Sequence, residues 1–274
     1  MASSMQQRRE SILAQAYQNG RVEVGRLSAD LKVSEATVRR DLHNLADEGL
    51  LQLTHGGASV LQQSDYSFLS KSVRNVGAKK TLGELASTLI QDGDQIFLDS
   101  GTTSFETASY LRSRRGLTVI VNSIRTAQEL TAPGVRVLLL GGHYRPDRMD
   151  AVGPMAGASL ERLRGYRAFF GSDGLAMDFG PTSIDVDSAA LISQAVANAQ
   201  ETILLVDSSK FGSPALYRIV EWSQVSTIVT EKRPDEAWTE FLNKQGINVI
   251  FPQQSANASA DEPILQGQTY PQES

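Results

Sequence analysis

The sequence predicts an α/β protein with two unequal parts, a small helical part at the N-terminus and a larger part built on a mostly parallel sheet. Two patterns predict this fold class. Apolar residues recur at helical spacing between residues 7 and 49, and beyond residue 65 helix-like and strand-like segments alternate. With 274 residues, 41% of them hydrophobic, the chain is long enough for one large domain or two unequal ones with a sizeable core.

Three short helices and a strand pair are predicted in the N-terminal part. Apolar stripes over residues 12–17, 27–31 and 38–45 are separated by turn signals, and residues 50–61 give two short strands around Gly56-Gly57. Ser34 can cap the third helix, because its hydroxyl can accept from the free amides of the first turn. Thr37 stands where a glutamate or glutamine would complete a capping box, so that signal is incomplete.

The larger part shows no internal repeat, and each of its segments has either helical or strand-like character. The predicted helices are 82–89, 103–111, 126–130 and 189–199, and the predicted strands are 95–98, 117–121, 135–140, 168–170, 203–206 and 227–229. A polar break at residues 62–65 is the candidate boundary. We expect an N-terminal domain (1–61), a linker (62–78), an α/β domain (79–252) and a tail (253–274) that is disordered because it lacks aliphatic periodicity.

Composition excludes several classes of protein. The chain has no cysteine, which excludes disulfides, thiolate catalysis and cysteine-based zinc sites. Two of the three histidines, His43 and His55, lie in the N-terminal part, so we expect no metal site and no cofactor. No apolar run approaches the roughly 18–20 residues of a membrane helix, and residues 1–10 lack the apolar stretch of a signal peptide. A cytoplasmic protein without a membrane partner is expected.

The charge is distributed unevenly along the chain. A net charge of −5 argues against bulk binding of nucleic acid, because phosphates are neutralised by a basic surface. Residues 1–62, however, carry seven basic and seven acidic residues. A neutral segment that includes the pair Arg39-Arg40 can still present one basic face.

The third predicted helix has a face suited to the major groove of DNA. If Val38, Leu42 and Leu45 face inward, the helical repeat puts a different set of side chains outward. That outer set consists of Ala36, Arg40 and His43, flanked by Thr37 and Arg39. Arginine forks match guanine or phosphate, and alanine or a threonine methyl can meet the methyl group of thymine. The alternative is a solvated amphipathic helix with an incidental arginine pair.

A family resemblance supports the DNA-binding interpretation. The run Val33-Ser34-Glu35-Ala36-Thr37-Val38-Arg39-Arg40-Asp41-Leu42, followed by His55-Gly56-Gly57, resembles the winged helix-turn-helix of DeoR-type bacterial transcriptional regulators, with a match from Arg8 to Ala58. The resemblance implies a helix-turn-helix over 22–41, a recognition helix over 34–47 and a wing at 54–57. It implies DNA contacts from Ser34, Ala36, Thr37, Arg39, Arg40, His43, His55 and Gly56. His55 either meets DNA there or is a surface histidine without a partner.

The strand ends of the larger part carry small, hydroxylic or charged residues, at the edge where open α/β sheets bind ligands. The strand at 95–98 runs into Asp99-Ser100-Gly101-Thr102-Thr103 and then a helix, which gives free amides and hydroxyls for a phosphate or carboxylate. The alternative is a capped helix with nothing bound.

The resemblance extends to these strand ends and covers about residues 8–232. DeoR-type regulators carry a sensor domain similar to the phosphosugar isomerase and CoA-transferase folds, and their effectors are phosphorylated sugars or sugar alcohols. On the matching motifs, the implied effector-binding residues are Lys79, Asp99, Ser100, Gly101, Thr102, Thr103, Asn122, Ser123, Gly142, Arg145, Asp173, Gly174, Thr182, Asp185 and Lys210. The lysines and the Thr102-Thr103 loop would contact phosphate, and the aspartates would accept from sugar hydroxyls.

One stretch departs from the family pattern. After Asp185 the family has a glutamate just before an alanine and a lysine three residues after it, whereas this chain has Ser188 and Ile192. Asp187 is the nearest acid, one position early, and the lysine is missing. The departure leaves an altered effector, or a vestigial pocket, as open interpretations.

Enzyme motifs are weak in this chain. Phe170 replaces the glycine that a nucleophile elbow around Ser172 needs, and no glycine-rich phosphate loop follows a strand. Asp207 and Lys210 could transfer a proton on a phosphosugar, as in an isomerase, but a ligand contact or an ion pair is the simpler interpretation.

The sequence therefore predicts a repressor of a carbohydrate uptake or catabolism operon that is relieved by a phosphorylated sugar. Its partners would be double-stranded operator DNA, the effector and further copies of itself, as a dimer or a tetramer. The alternative is an isomerase-like, phosphosugar-processing enzyme with an accessory DNA-binding domain.

Overall fold

The computed structural model describes residues 3–60 and 68–252. The predicted tail (253–274), the predicted boundary at 62–65 and the end of the predicted strand pair at Leu61 lie outside the described residues.

The N-terminal part folds as a winged helix-turn-helix, as predicted. Its elements are α1 (Ser3–Asn19), β1 (Arg21–Glu23), α2 (Val24–Leu31), α3 (Glu35–Asp47), β2 (Leu51–Thr54) and β3 (Gly57–Val60). The three strands form an antiparallel sheet in the order β1-β3-β2. Ile12, Leu27 and Val38 are fully buried in a common core, so each helix contributes the apolar stripe that its sequence predicts.

The larger part alternates helices and strands over its whole described length. Its elements are α4 (Phe68–Ser72), α5 (Val76–Thr88), β4 (Gln95–Leu98), α6 (Thr102–Tyr110), β5 (Leu117–Val121), α7 (Ile124–Glu129), β6 (Val135–Leu139), β7 (His143–Arg145), β8 (Asp150–Val152), α8 (Pro154–Glu161), β9 (Arg167–Gly171), β10 (Gly174–Ala176), β11 (Gly180–Ser183), α9 (Val186–Ala197), β12 (Glu201–Leu205), β13 (Tyr217–Arg218), β14 (Thr227–Val229), α10 (Glu236–Lys244) and β15 (Asn248–Ile250).

Seven of these strands form one parallel sheet in the order β15-β14-β12-β9-β4-β5-β6. Side chains alternate between its two faces. Ile96 and Leu98 pack with α5 and α6, whereas Phe97 packs with α8 and α9 on the other side. The sheet is therefore covered on both faces, which explains why its strands read as continuous apolar runs.

The sheet has a topological switch point between β4 and β9. From β4 the chain proceeds outward through β5 and β6, and it then returns to the other side of β4 to form β9. The carboxyl ends of β4, β5, β9 and β12 lie side by side, and loops from adjacent strands diverge at such a point to leave a crevice.

The predicted linker (62–78) is not structureless where it is described. It contains α4 and the beginning of α5. The domain boundaries stay predictions, but a helical segment follows residue 67 directly. Two small antiparallel sheets, β7-β8 and β10-β11-β13, were also not predicted, because their short strands are not the runs of apolar residues that mark the strands of the parallel sheet.

Candidate functional site

The exposed face of α3 carries the predicted base-reading residues. Ala36, Arg39, Arg40 and His43 are all exposed, and Thr37 is half-buried. The Ser34 hydroxyl accepts from the amide of Thr37 at 3.3 Å, so the predicted cap is present.

The two arginines of α3 differ in their availability. Arg39 donates to Glu35 at 3.0 Å, one turn earlier on the helix. Arg40 forms no ion pair with the described residues, so its guanidinium is the freer of the two to meet a base or a phosphate. The Nδ1 of His43 lies 2.7 Å from the carbonyl of Arg39 and must donate to it, which leaves Nε2 outward.

The predicted wing is a two-residue turn between β2 and β3. His55 and Gly56 are exposed at its tip, and Gly56 has a φ of +81°. Gly57 is required for a different reason: a Cβ there would lie 1.9 Å from the carbonyl oxygen of Val22, where β3 passes β1.

Two arginines near the N-terminus hold α1 against the recognition helix. Arg8 donates from Nε to the buried carboxylate of Asp41 at 2.5 Å, and Arg9 pairs with Glu48. These contacts orient α3 on its own domain. They also pair two of the basic residues of the N-terminal part with acids.

A cleft of about 930 Å³ opens at the switch point of the parallel sheet. Nine of the predicted effector-binding residues line it: Lys79, Asp99, Ser100, Gly101, Thr102, Thr103, Asn122, Asp173 and Lys210. They arrive from the ends of four adjacent strands and from α5, as the strand-end argument predicts. Ala14 of α1 also borders the cleft, which places the cleft next to the winged helix-turn-helix.

The cleft is rich in cations. The basic lining residues are Lys71, Arg74, Lys79, Arg148 and Lys210, against the three carboxylates of Asp99, Asp173 and Asp207. Lys71, Lys79 and Lys210 are close enough that their charges oppose one another: Lys210 lowers the pKa of both other ammonium groups. An anion in the cleft would relieve this repulsion.

Lys79 is buried and held by backbone. Its Nζ donates to the carbonyl oxygens of Lys71 and Arg74, the latter at 2.7 Å, so it ties the turn between α4 and α5. Burial lowers its pKa to about 8, and the neighbouring ammonium groups of Lys210 and Lys71 add to the effect. The third proton of the ammonium group remains for a ligand.

Several buried polar atoms of the cleft have no hydrogen-bond partner among the described residues. They are Oδ1 of Asp99, Oδ1 of Asn122 and Oγ of Ser172. The other oxygen of Asp99 accepts from the amide of Gly171 at 3.3 Å, and burial raises the pKa of this carboxyl. Buried polar groups are rarely left unpaired, so a polar ligand or water is expected against them.

The N-terminus of α6 faces the same cleft. Gly101 is its N-cap residue and supplies no side-chain cap, so the amides of the first turn are not satisfied by a side chain. A Cβ on Gly101 would lie 3.1 Å from Oδ2 of Asp99, so a glycine lets the loop close over the carboxylate. Thr102 and Thr103 add hydroxyls beside the amides.

Six predicted effector-binding residues do not line the cleft: Ser123, Gly142, Arg145, Gly174, Thr182 and Asp185. Ser123 caps α7, and Thr182 donates to the carbonyl of Gly174 at 2.8 Å. Gly174 and Gly142 permit close backbone approach, with Cβ positions 1.7 Å and 2.5 Å from the carbonyl oxygens of Ser213 and Val152. These motif residues therefore support the backbone around the cleft and are not part of its lining.

Arg145 and Asp185 belong to an ion network that adjoins the cleft, in which Asp150 is buried and the other members are half-buried. Arg145 binds Asp150 with two hydrogen bonds of 2.8 Å and reaches Asp185, and Arg148 donates to Asp185 at 2.6 Å. Burial alone would raise the pKa of Asp185, but the amide of Ser188 and the two guanidinium groups lower it. The predicted role of Asp185 as an acceptor of sugar hydroxyls does not fit this arrangement, because its carboxylate already receives two arginines.

The departure from the family pattern is visible in the cleft wall. Ser188 and Ile192 both line the cleft, next to Leu191, and Ser188 accepts from Arg145 at 3.1 Å. Asp187 is exposed and is not among the lining residues, so it does not replace the missing acid. This wall is therefore apolar where the family has a lysine.

Sequence reasoning missed Lys71, Arg74, Asn75 and Arg148 as cleft residues. None of them follows a strand of the parallel sheet. Lys71 and Asn75 come from the segment predicted to be a linker, and Arg148 comes from the β7–β8 hairpin. The available signal was Arg74, a basic residue just before α5.

The described residues contain no cluster of three or more histidine, cysteine or acidic side chains placed to hold a metal ion. Among the same residues, no helix is both long enough and apolar enough to span a bilayer.

Comparison with known proteins identifies both parts. Residues 8–64 match the DeoR-like helix-turn-helix domain, and residues 74–232 match the DeoR C-terminal sensor domain. Full-length relatives agree. A protein of Escherichia coli O157:H7 named for repression of the aga operon is 32% identical, over 89% of this chain and 93% of its own length. The lactose phosphotransferase system repressor of Staphylococcus epidermidis is 33% identical, over 86% and 98%.

Likeness to solved structures is weaker. Ribose 5-phosphate isomerase A from Methanocaldococcus jannaschii aligns with a TM-score of 0.38 and 19% identity, over 50% of this chain and 55% of that chain. Translation initiation factor eIF-2B from Pyrococcus horikoshii aligns with a TM-score of 0.40 and 17% identity, over 83% and 88%. A likeness at this level bears on neither function nor ligand, and the matched domains and relatives decide the family. The chain belongs to the DeoR family of transcriptional regulators, with a DNA-binding helix-turn-helix domain followed by a sensor domain.

Proposed function

We propose that this regulator represses an operon for carbohydrate uptake or catabolism and that a phosphorylated sugar or sugar alcohol relieves the repression by binding the switch-point cleft. Relatives named for repression of the aga operon and of the lactose phosphotransferase system support the class of target. The effector class is supported by the cleft.

The observation that carries the proposal is the pairing of charge and unpaired polar atoms in one cleft. Five cations face three carboxylates there, and Asp99, Asn122 and Ser172 each offer an unpaired atom. A phosphate would be held by the amides of the α6 N-terminus and the lysines, while hydroxyl groups would satisfy the polar atoms. A simple anion would leave the polar atoms unpaired.

The proposed sensor binds its ligand without turnover. The pair that could move a proton, Asp207 and Lys210, is constrained on one side: Asp207 accepts from Asn75 at 3.1 Å and from the amide of Ser209 at 3.0 Å. Both donors bind Oδ1, so one of the two carboxylate oxygens is already held by contacts within the protein.

We propose a symmetric oligomer as the DNA-binding form. One helix of 13 residues offers few base contacts, whereas two copies of α3 on adjacent half-sites give the affinity that a specific site needs. Operator DNA as the target implies that the protein works in the cytoplasm.

Fluorescence anisotropy tests the proposal directly. Labelled DNA from upstream of the protein's own operon is titrated at fixed salt, alone and with ribose 5-phosphate, fructose 1-phosphate, fructose 6-phosphate, glucose 6-phosphate and glycerol 3-phosphate. The unphosphorylated sugars serve as matched controls.

Specific binding that one phosphorylated compound relieves, and its parent sugar does not, is the expected result. Binding that ignores every compound would overturn the effector assignment and favour a vestigial pocket. Binding no tighter than to random DNA, together with conversion of any added sugar phosphate, would instead support the enzyme alternative.

A further inference from the structure

The segment of residues 71–75, which we call the coupling segment, contacts the ligand cleft and the core of the winged helix-turn-helix at once. We infer that it transmits occupancy of the cleft to the DNA-binding domain, with Lys71 as an effector-binding residue that occupancy displaces from Asp173. This inference rests on the proposed function, since it assigns the regulation of the same site.

Lys71 connects the coupling segment to the far side of the cleft. Its Nζ lies 2.5 Å from Oδ1 of Asp173, at the end of β9, and the side chain is only 24% exposed. Asp173 also accepts from the amide of Ile184 at 3.0 Å, so this carboxylate is fixed in place. The position of Lys71 is therefore set by a rigid partner across the cleft.

Asn75 makes a second connection to the cleft. Its amide nitrogen donates to Oδ1 of Asp207 at 3.1 Å and to the hydroxyl of Ser209 at 3.2 Å. Asn75 is also the N-cap residue of α5 and adopts a φ of +52°. The ammonium of Lys79 donates to the carbonyl oxygens of both Lys71 and Arg74, which holds the backbone of the coupling segment together.

Val73, in the middle of the coupling segment, packs against the hydrophobic core of the winged helix-turn-helix. Just before the segment, Phe68 is anchored on the α/β domain by an edge-to-face contact with Phe105, and Arg125 lies over its ring at 4.4 Å. Because the chain is held at Phe68, a shift of residues 71–75 is not absorbed there. Val73 transmits the shift to the core of the N-terminal domain.

Ligand binding acts on the two polar connections. An anion in the cleft attracts the Lys71 ammonium away from Asp173, and hydroxyl groups compete with Asn75 for Asp207. Both changes release the coupling segment from the α/β domain, and the packing of Val73 then gives the winged helix-turn-helix a new position. Coupling of this kind needs a chain of physical contacts between the sites, and these residues supply one.

Hydrogen–deuterium exchange on the full chain tests the coupling without an identified effector. Lys71→Met and Asp173→Asn each remove one partner of the ion pair, Lys71→Arg keeps the charge, and Lys80→Met is the matched control on the exposed side of α5. We expect amide exchange in α2 and β3 to rise at least fivefold in Lys71→Met and Asp173→Asn, and to stay at the wild-type rate in the other two variants.

The result that overturns the inference is a rise confined to residues 68–79, or no rise at all, with α2 and β3 unchanged. Protection of the β4 and β9 amides shows that each variant is folded. If Asp173→Asn loses that protection, the exchange of the α2 and β3 amides in Lys71→Met, compared with Lys71→Arg, still decides whether the inference holds.

Operator binding separates this inference from the proposed function. Wild-type protein that fails to bind the upstream DNA overturns the proposed function, and the exchange data still decide the coupling. Wild-type binding that a sugar phosphate relieves, with equal relief in Lys71→Met, overturns the coupling role of Lys71 alone.

Discussion

At the scale of single residues, we expect base reading by α3 to depend most on the side chain of Arg40. It is exposed and forms no ion pair with the described residues, whereas the guanidinium of its neighbour Arg39 donates to Glu35. We expect Arg40→Ala to weaken operator binding by roughly 10- to 100-fold, the loss typical of one arginine–guanine contact. Anisotropy at fixed salt measures it.

The control for Arg40→Ala is Arg112→Ala, which removes one exposed arginine from the sensor domain and should leave operator affinity unchanged. Operator affinity retained at the wild-type level in Arg40→Ala would remove Arg40 from the DNA-binding interface.

Thr103 offers a complementary test at the cleft. Its hydroxyl stands in the first turn of α6, beside amides that no side chain caps. Thr103→Val keeps the shape and removes the donor, so the effector response should weaken several-fold while DNA affinity without effector is unchanged. Thr88→Val, at the exposed end of α5, is the control. An unchanged response would move the phosphate site away from α6.

We expect Lys79 to make effector binding depend on pH above neutrality. Its pKa is lowered to about 8, mainly by burial, so the unfolded chain binds more protons than the folded one between pH 8 and the ordinary lysine pKa of 10.5. Its contribution to stability is therefore complete above that value and is lost as the pH falls through 8. Ligand binding has the opposite preference, because a phosphate favours the charged ammonium.

We expect the affinity for a sugar phosphate to fall by roughly tenfold between pH 7 and pH 9, a range in which the phosphate itself stays dianionic. Isothermal titration calorimetry measures this. Lys79→Met should bind more weakly at pH 7 and lose the slope. A slope that survives in Lys79→Met would assign the titration to another group of the cleft, such as Lys71.

At the scale of elements, the wing depends on one close approach between strands. Gly57 of β3 passes the carbonyl oxygen of Val22 so closely that a Cβ would lie 1.9 Å from it. Gly57→Ala should therefore destabilise the N-terminal domain by about 3 kcal/mol, because the added atom separates β3 from β1. Chemical denaturation and operator anisotropy measure the two effects.

Gly25→Ala is the matched control in the same domain. Gly25 lies inside α2, where the nearest atom to an added Cβ is 3.9 Å away, so alanine should be neutral or stabilise the helix by up to about 1 kcal/mol. Equal stability of both variants would show that the wing strands can separate without loss.

Long buried strands were the most predictable elements. The strands predicted at 95–98 and 117–121 are identical to β4 and β5, because runs of aliphatic residues between polar turns leave little choice. Strand β1 and the strands of the small antiparallel sheets were missed because they are short and are not runs of apolar residues. Helix α10 had a signal that was not used: Asp235 caps it, and Trp238 and Leu242 are buried four residues apart.

The candidate site was predictable only where residues follow strands of the sheet. Asp99, Asn122 and Asp173 come to the cleft because parallel strands end at one edge. Lys71 and Arg148 reach it through tertiary folding of a helix and a hairpin outside the parallel sheet, which sequence spacing does not encode. The assignment of Asp185 to the effector stays a prediction, and the folded chain brings two arginines to its carboxylate, which sequence spacing does not encode either.

At the scale of the whole molecule, effector and operator must oppose each other by the same factor. If a sugar phosphate weakens operator affinity n-fold, linkage requires saturating operator to weaken the affinity for that sugar phosphate n-fold.

The two tryptophans of the chain can report this change in effector affinity. The rings of Trp222 and Trp238 pack edge-to-face. The ring centroids of Trp238 and Phe211 lie 5.1 Å apart, and Phe211 directly follows Lys210 of the cleft. Tryptophan emission titrated with the sugar phosphate, with and without operator, should give dissociation constants that differ by the factor seen in anisotropy. Random DNA of the same length should leave the effector constant unchanged. If the constants reported by the tryptophans are equal with and without operator while relief persists in anisotropy, the relief comes from binding at another site and not from the cleft of the sensor domain.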